Sequence, residues 1–267
     1  MAINTMDKLI AALSSGLVKS YLKDSVTGAP GSMVSQWLTS GVPSAGAAPG
    51  AARYPDDTTT GALINLPDLS PSLVYLAYVA ATNSLIGTSF IMDRLADISG
   101  FNGTLATAQA AVLDLIAPAA QARCDSTGLN VEWYLEWHLA TGSNAVTATV
   151  TYLDSAGATK TATVSLAATR PIAFMARIIQ AAGDVLPIKS IVSVQLSGTT
   201  GTAGNFGVTA VRRIASVLTG AANLIAPMDY AMLGLPIITD KACLFLVNVN
   251  STTATGTSSG ILKVISG

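Results

Sequence analysis

Charge is what this sequence of 267 residues has least of. Asp, Glu, Lys and Arg together make up 11% of it, where roughly 25% is usual for a soluble domain. The net charge is -1 and no cluster of Lys or Arg stands out. That removes the electrostatic basis for gripping a phosphate backbone, so nucleic acid is set aside as a direct partner. Histidine occurs once, at His138, which severely restricts Ser-His-Asp, Cys-His and multi-histidine metal arrangements. The two cysteines, Cys124 and Cys243, lie far apart and neither belongs to a CxxC pair. Neither a zinc site nor a disulfide framework is expected from them. The N-terminal residues lack the apolar run and small-residue cleavage site of a secretion signal.

What fills the sequence instead is apolar residues, 50% of the whole, together with Gly, Ser and Thr. So apolar a chain either enters a membrane or hides surface against partners, because free monomers keep exposed apolar patches small. Residues 69–92 carry no charge and are long enough to cross a bilayer. Pro71, Thr82, Asn83, Ser84, Gly87, Thr88 and Ser89 interrupt that run, while Val74, Tyr75, Tyr78, Val79, Ile86, Phe90 and Ile91 suit buried strands. No membrane partner is expected; assembly with other proteins is.

Met6, Leu9, Ile10, Leu13, Leu17 and Leu22 recur at near-helical spacing, which predicts an amphipathic helix over 6–22. The stretch 41–55 is rich in Gly, Ala and Pro and suits a surface loop or an arm reaching a neighbour. Residues 1–60 are therefore read as helix plus arm and 61–267 as a β-rich domain, the two forming one continuous domain or lying side by side. Leu9, Leu13, Leu17, Trp37 and Tyr54 are the candidate assembly contacts.

From Asn130 the writing is period-two. Val131, Trp133, Leu135, Trp137 and Leu139 alternate with Glu132, Tyr134, Glu136 and His138, predicting a strand with one core face and one wetter face. Further strands are predicted at 145–153 and 159–166, completing a three-strand meander, and at 190–196, 206–212, 243–248 and 261–265. Short strands at this spacing give a mainly β fold: a β-sandwich or jelly-roll-like antiparallel domain preceded by the amphipathic helix and extended arm.

Motifs that could carry chemistry fall short. His138 lies on the polar strand face and is expected to be solvated or hydrogen-bonded. Glu132 and Glu136 share that face, yet four strand residues separate their backbones by ~13 Å, poor spacing for a glycosidase pair. Hydrolysis by these carboxylates is the weakest of the readings kept. Asp56, Asp57, Asp93 and Asp97 lack a cation-binding loop and are expected as solvated turn or helix-end carboxylates. Gly198, Gly201, Gly204 and Gly207 fit a flexible hairpin rather than a phosphate loop. No catalytic residue, cofactor or metal ligand is assigned.

Three segments carry a resemblance: Asp93-Arg94-Leu95 with 99–104 and Thr107-Ala108-Gln109; the strand Glu132-Trp133-Tyr134-Leu135-Glu136-Trp137; and 199–209. Over residues 90–210 the chain resembles virion structural proteins of tailed bacteriophages, most nearly capsid decoration or cement proteins. The resemblance implies a non-enzymatic particle component, assembled in the bacterial host cytoplasm and resident in the virion. Its implied partners are the major capsid protein and further copies of the chain, in a homo-oligomer such as a trimer. The alternative place is the tail, collar or a fibre, with Trp133 and Trp137 as exposed glycan platforms.

Overall fold

The computed structural model describes residues 3–66, 73–115, 123–124, 128–239 and 241–267. The chain begins with α1 (Met6–Ser15), β1 (Leu17–Lys23), β2 (Met33–Ser35), β3 (Gly41–Val42), β4 (Val74–Asn83), β5 (Gly87–Phe101) and β6 (Gln109–Asp114). There follow β7 (Val131–Leu139), β8 (Val146–Asp154), β9 (Thr159–Leu166), β10 (Phe174–Arg177), β11 (Ile188–Leu196) and β12 (Asn205–Thr219). The last elements are β13 (Ala226–Met228), α2 (Tyr230–Leu233), β14 (Ile237–Ile238), β15 (Leu244–Asn250) and β16 (Ser258–Ser266). The fold is mainly β and its strand pairs are antiparallel, as the alternating pattern predicts.

Its middle layer is a closed barrel in the order β10-β2-β15-β5-β12-β7. On one side lies a sheet in the order β13-β4-β16-β1-β3, with β14 also paired to β4; on the other lies β6-β11-β8-β9. The two longest strands, β5 and β12, connect the layers. The outer face of β5 sends Ile91 into the core shared with the first sheet and Leu95 into the core shared with the second. Its inner face sends Met92 into the barrel. β12 does the same with Val217, Val208 and Val211. Alternation along these 15-residue strands, switched in phase by the bulges in their shared ladder, feeds three apolar clusters at once.

Three expectations are corrected. The helix stops at Ser15, and residues 17–23 form β1, paired with β16 from Leu17↔Val264 to Lys23↔Ser258. Thr5 caps the helix by accepting from Lys8 N, but past Gly16 a seven-residue ladder outweighs local propensity, and Tyr21 and Lys23 turn inward. The meander is only the hairpin β8–β9; β7 pairs with β10 and β12 in the barrel. The glycine-rich stretch 197–204 is not a hairpin, since β11 and β12 belong to different sheets and the chain crosses between them there.

Strands of residues 1–60 are paired with strands of 61–267: β1 with β16, and β2 with β10 and β15, closing the barrel. Of the uncharged run 69–92, residues 74–83 and 87–92 lie on β4 and β5, and 69–72 fall outside the described residues. Among the described residues no helix is long and apolar enough to cross a membrane.

Candidate functional site

The polar face of β7 turns into the barrel, not toward water. Glu136 and His138 are buried there, which corrects the reading of His138 as a solvated strand residue. Opposite them, β5 supplies Arg94 and Asp97, both fully buried. Arg94 Nε donates to Asp97 Oδ2 at 2.5 Å, and its Nη2 donates to Glu136 Oε2 at 2.6 Å and to Thr209 Oγ1 at 3.2 Å. Thr209 in turn donates to Glu136 Oε2 at 2.5 Å. The guanidinium also lies 4.8 Å from the centre of the Trp37 ring and 5.4 Å from that of Phe245, a buried cation against an edge-to-face aromatic pair.

Segment 43–55 closes this end of the barrel. Trp37 Nε1 donates to Ala47 O at 3.0 Å, Ser99 Oγ donates to Pro49 O, and Arg53 Nε donates to Asp97 Oδ1 at 2.7 Å. The Gly/Ala/Pro composition has a steric reason at one position: a Cβ at Gly46 would lie 2.3 Å from Trp37 Cε2.

A second ionic cluster sits on the outer side of β5. Asp93 Oδ1 accepts from Arg123 Nη1 at 3.1 Å and from Cys243 N at 2.9 Å, and Arg212 Nη2 lies 3.7 Å from Oδ2. Asp93 and Asp97 are thus buried strand carboxylates, and Asp57 is buried too, accepting from Leu66 N at 2.7 Å. The expectation of solvated turn or helix-end groups fails for Asp93 and Asp97, which β5 places beside arginines; Asp57 does lie in a turn, but it is buried against the Leu66 N–H and not solvated. Asp56 does cap a turn, accepting from Thr58 and Thr59.

These environments set the protonation states. Burial favours a neutral Glu136, but the positive Arg94, together with His138 and the Arg94 and Thr209 hydrogen bonds, brings its carboxyl down to about 2. Burial holds His138 below its ordinary value despite the nearby Glu136. Burial raises Asp93 against the pull of Arg123 and Arg212. Among the described residues, both ring nitrogens of His138, Glu136 Oε1 and Arg94 Nη1 have no hydrogen-bond partner. The cleft lined by Leu129, Glu132, Trp133, Ile179 and Val185 and the groove lined by Leu13, Val18 and Tyr78 do not include this network, and among the described residues no group of three or more His, Cys, Asp and Glu could hold a metal ion.

The assembly contacts expected from sequence are scattered. Trp37 is wholly buried inside the barrel, so its ring contacts its own chain; an aromatic in a Gly-flanked segment reads as exposed only when the barrel around it is unknown. Tyr54 is half-buried against the second core, its hydroxyl donating to Asp114 O at 2.9 Å. Leu17 is half-buried under the first sheet. Leu9 and Leu13 are half-buried on α1, none of whose residues is buried. Trp133 and Trp137 lie in the core, which removes the exposed glycan platforms. Glu132 sits apart from Glu136, accepting from Arg213 Nη2 at 3.2 Å and from the Tyr134 hydroxyl.

Sequence reading missed the outer face of the sheet β13-β4-β16-β1-β3. Register places Val18, Lys263 and Tyr78 in one row, Ser20, Ile261, Ala80 and Pro227 in the next, and Val42, Leu22, Ser259 and Thr82 in a third. Lys263 is the one charged residue in those rows. A groove of about 340 Å³ opens on this face, lined by Leu13 of α1, Val18, Tyr78, Lys263 and Ile261 of the sheet, and Asp229 and Tyr230 at the start of α2. The signal was present as Val18, Ser20 and Leu22 alternating with Tyr21 and Lys23, but it was masked by the helical reading of 6–22.

No family model matches the chain, and no curated protein does. Solved structures overlap it weakly. The protein of infectious bursal virus derived T=1 particles is 13% identical over 96% of this chain and 78% of its own, with a TM-score of 0.23. The VP2 subviral particle of infectious bursal disease virus is 12% identical over 95% and 81%, also with a TM-score of 0.23. Overlaps this shallow carry no inference about fold or role.

Proposed function

We propose that the chain is a non-enzymatic structural protein of a virion, one that decorates or cements a phage capsid through apolar contacts to the major capsid protein. The observation that carries this reading is an inversion of the usual surface. Lys23, Asp57, Asp93, Arg94, Asp97, Arg123, Glu136 and Asp154 are buried, while large apolar side chains stand exposed on several sides. Leu129, Ile179 and Val185 stand out around a cleft of about 440 Å³. Ile86, Leu218, Leu224 and Ile225 stand out around the β4–β5 turn and the β12–β13 segment, which Asn223 N joins by donating to Asn83 O. A protein that fills gaps between shell subunits needs apolar contact on more than one side. The phage-like segments over 90–210 support the same reading.

The test is localisation on intact particles with a labelled chain. Label distributed over the shell is the expected result, and label found only at the tail would overturn the capsid assignment. For the non-enzymatic part, a Glu132→Gln/Glu136→Gln double variant should leave particle assembly and infectivity intact if it folds. A hydrolytic activity of the wild type that the double variant loses would overturn it.

A further inference from the structure

We infer that the outer face of the sheet β13-β4-β16-β1-β3 is a self-association surface, on which two copies of this chain pair about a two-fold axis. This inference does not depend on where in a particle the chain resides.

The first argument is that the face has every mark of a surface meant to be covered. α1 presents Met6, Leu9, Ile10 and Leu13 at the i, i+3, i+4, i+7 spacing that ordinarily buries a stripe, yet Met6 and Ile10 stay 63% and 57% exposed. Beside the helix, Val18, Leu22 and Val42 are also exposed, and Met232 of α2 is 67% exposed. A sheet face that met only water would alternate toward charged and long polar side chains. Here its three rows hold Ser, Thr, Ala, Val, Leu, Ile, Tyr and Pro with one Lys.

The second argument identifies the occupant. The apolar ridge of α1 and the groove of about 340 Å³ lie next to each other, Leu13 belonging to both. A ridge adjoining a groove on one face is self-complementary: a two-fold axis between them lays each copy's α1 ridge into the other's groove. Charge agrees with this. Lys263 and Asp229 both line the groove; Asp229 Oδ1 caps α2 by accepting from Ala231 N and Met232 N, which leaves Oδ2 as the negative group that a two-fold can set against the partner's Lys263. A partner protein of strong single-sign charge would find no counterpart there.

The third argument is size. Seven paired residues along β1 and β16 run about 23 Å, and four strand spacings span about 19 Å; α1 adds a flank about 15 Å long and 10 Å wide. The sum is about 600 Å² in projection. Because a corrugated face has more accessible surface than its projection, this approaches the roughly 800 Å² that each partner contributes to a stable pair.

Sedimentation of the purified full chain tests the inference. The wild type should sediment as two copies at micromolar concentration. Leu22→Glu and Ile261→Glu should each shift it to one copy, weakening association by about tenfold or more. Ser20→Glu is the second line of variants, because that side chain points out of the same face and is exposed, so its fold does not depend on what it buries. Leu218→Glu, away from the face, should leave the pair intact. A wild type of one copy overturns the inference, as does a mass of three copies, which a two-fold contact cannot give. A pair that survives all three face variants overturns it too, since the contact then lies elsewhere. A one-copy chain that still decorates particles would overturn the pairing alone, whereas a robust pair missing from the shell would overturn the capsid role alone.

Discussion

The guanidinium of Arg94 holds two carboxylates, Asp97 and Glu136, inside the barrel, beside the rings of Trp37 and Phe245. Removing the cation while leaving the anions strands uncompensated buried charge, which costs far more than an exposed ion pair. Arg94→Met should therefore lower unfolding stability by about 3–5 kcal/mol in urea titration; a loss below about 1 kcal/mol, the scale of a surface pair, would mean that the lattice is solvated. His138 allows a cleaner test because it is the only histidine. Its folded form resists protonation, so below its ordinary value of 6.5 the unfolded chain binds a proton that the folded chain refuses. Stability should then fall as pH drops through 6.5, by no more than about 1.4 kcal/mol per pH unit. His138→Gln should flatten that slope, measured by melts across the range. Glu136 acts separately and lower: its stabilisation is complete above 4.5 and is lost as pH falls toward about 2.

At the scale of elements, β12 is pressed against its neighbours where Gly207 faces Glu136 across the ladder. A Cβ there would lie 1.8 Å from Ile98 O, and backbone cannot swing away as a side chain can. Gly207→Ala should cost at least as much as core overpacking, about 1–3 kcal/mol, visible as a drop in melting temperature; Gly198→Ala, with open space around it, should not move it. Both glycines belong to one every-third-residue series that reads in sequence as a flexible hairpin, which shows what periodicity can and cannot deliver. The strand β7 was legible because Trp133, Leu135 and Trp137 alternate into a core. Its other face, Glu132, Tyr134, Glu136 and His138, was misread as wet. A barrel wall covered from outside by a second sheet makes both faces of a strand interior, and a buried ion lattice carries the same polar letters as a solvated face. Likewise 6–22 satisfies a helical spacing while its second half pairs with β16, some 240 residues away in sequence. No local signal announces a partner that distant.

For the molecule as a whole, the distribution of charge decides how it can associate. Charges that pair inside the barrel and under its wall are unavailable for steering, and the remaining ones are of both signs and sum to little, so contacts with copies or neighbours must draw on apolar burial. That sets a thermodynamic signature opposite to charge-driven assembly. Raising NaCl from about 0.05 to about 0.5 M, which shortens the screening length from over 10 Å to a few Å, should leave self-association measured by sedimentation nearly unchanged. Sulfate, which is excluded from apolar surface, should strengthen it, and cooling should weaken it. Dilution calorimetry should show a negative heat-capacity change on association, the mark of apolar surface leaving water. A steep loss of association with NaCl would locate the binding energy in Lys263, Asp229 and their like. The exposed leucines, isoleucines and valines would then be bystanders, and the inverted surface would need another cause.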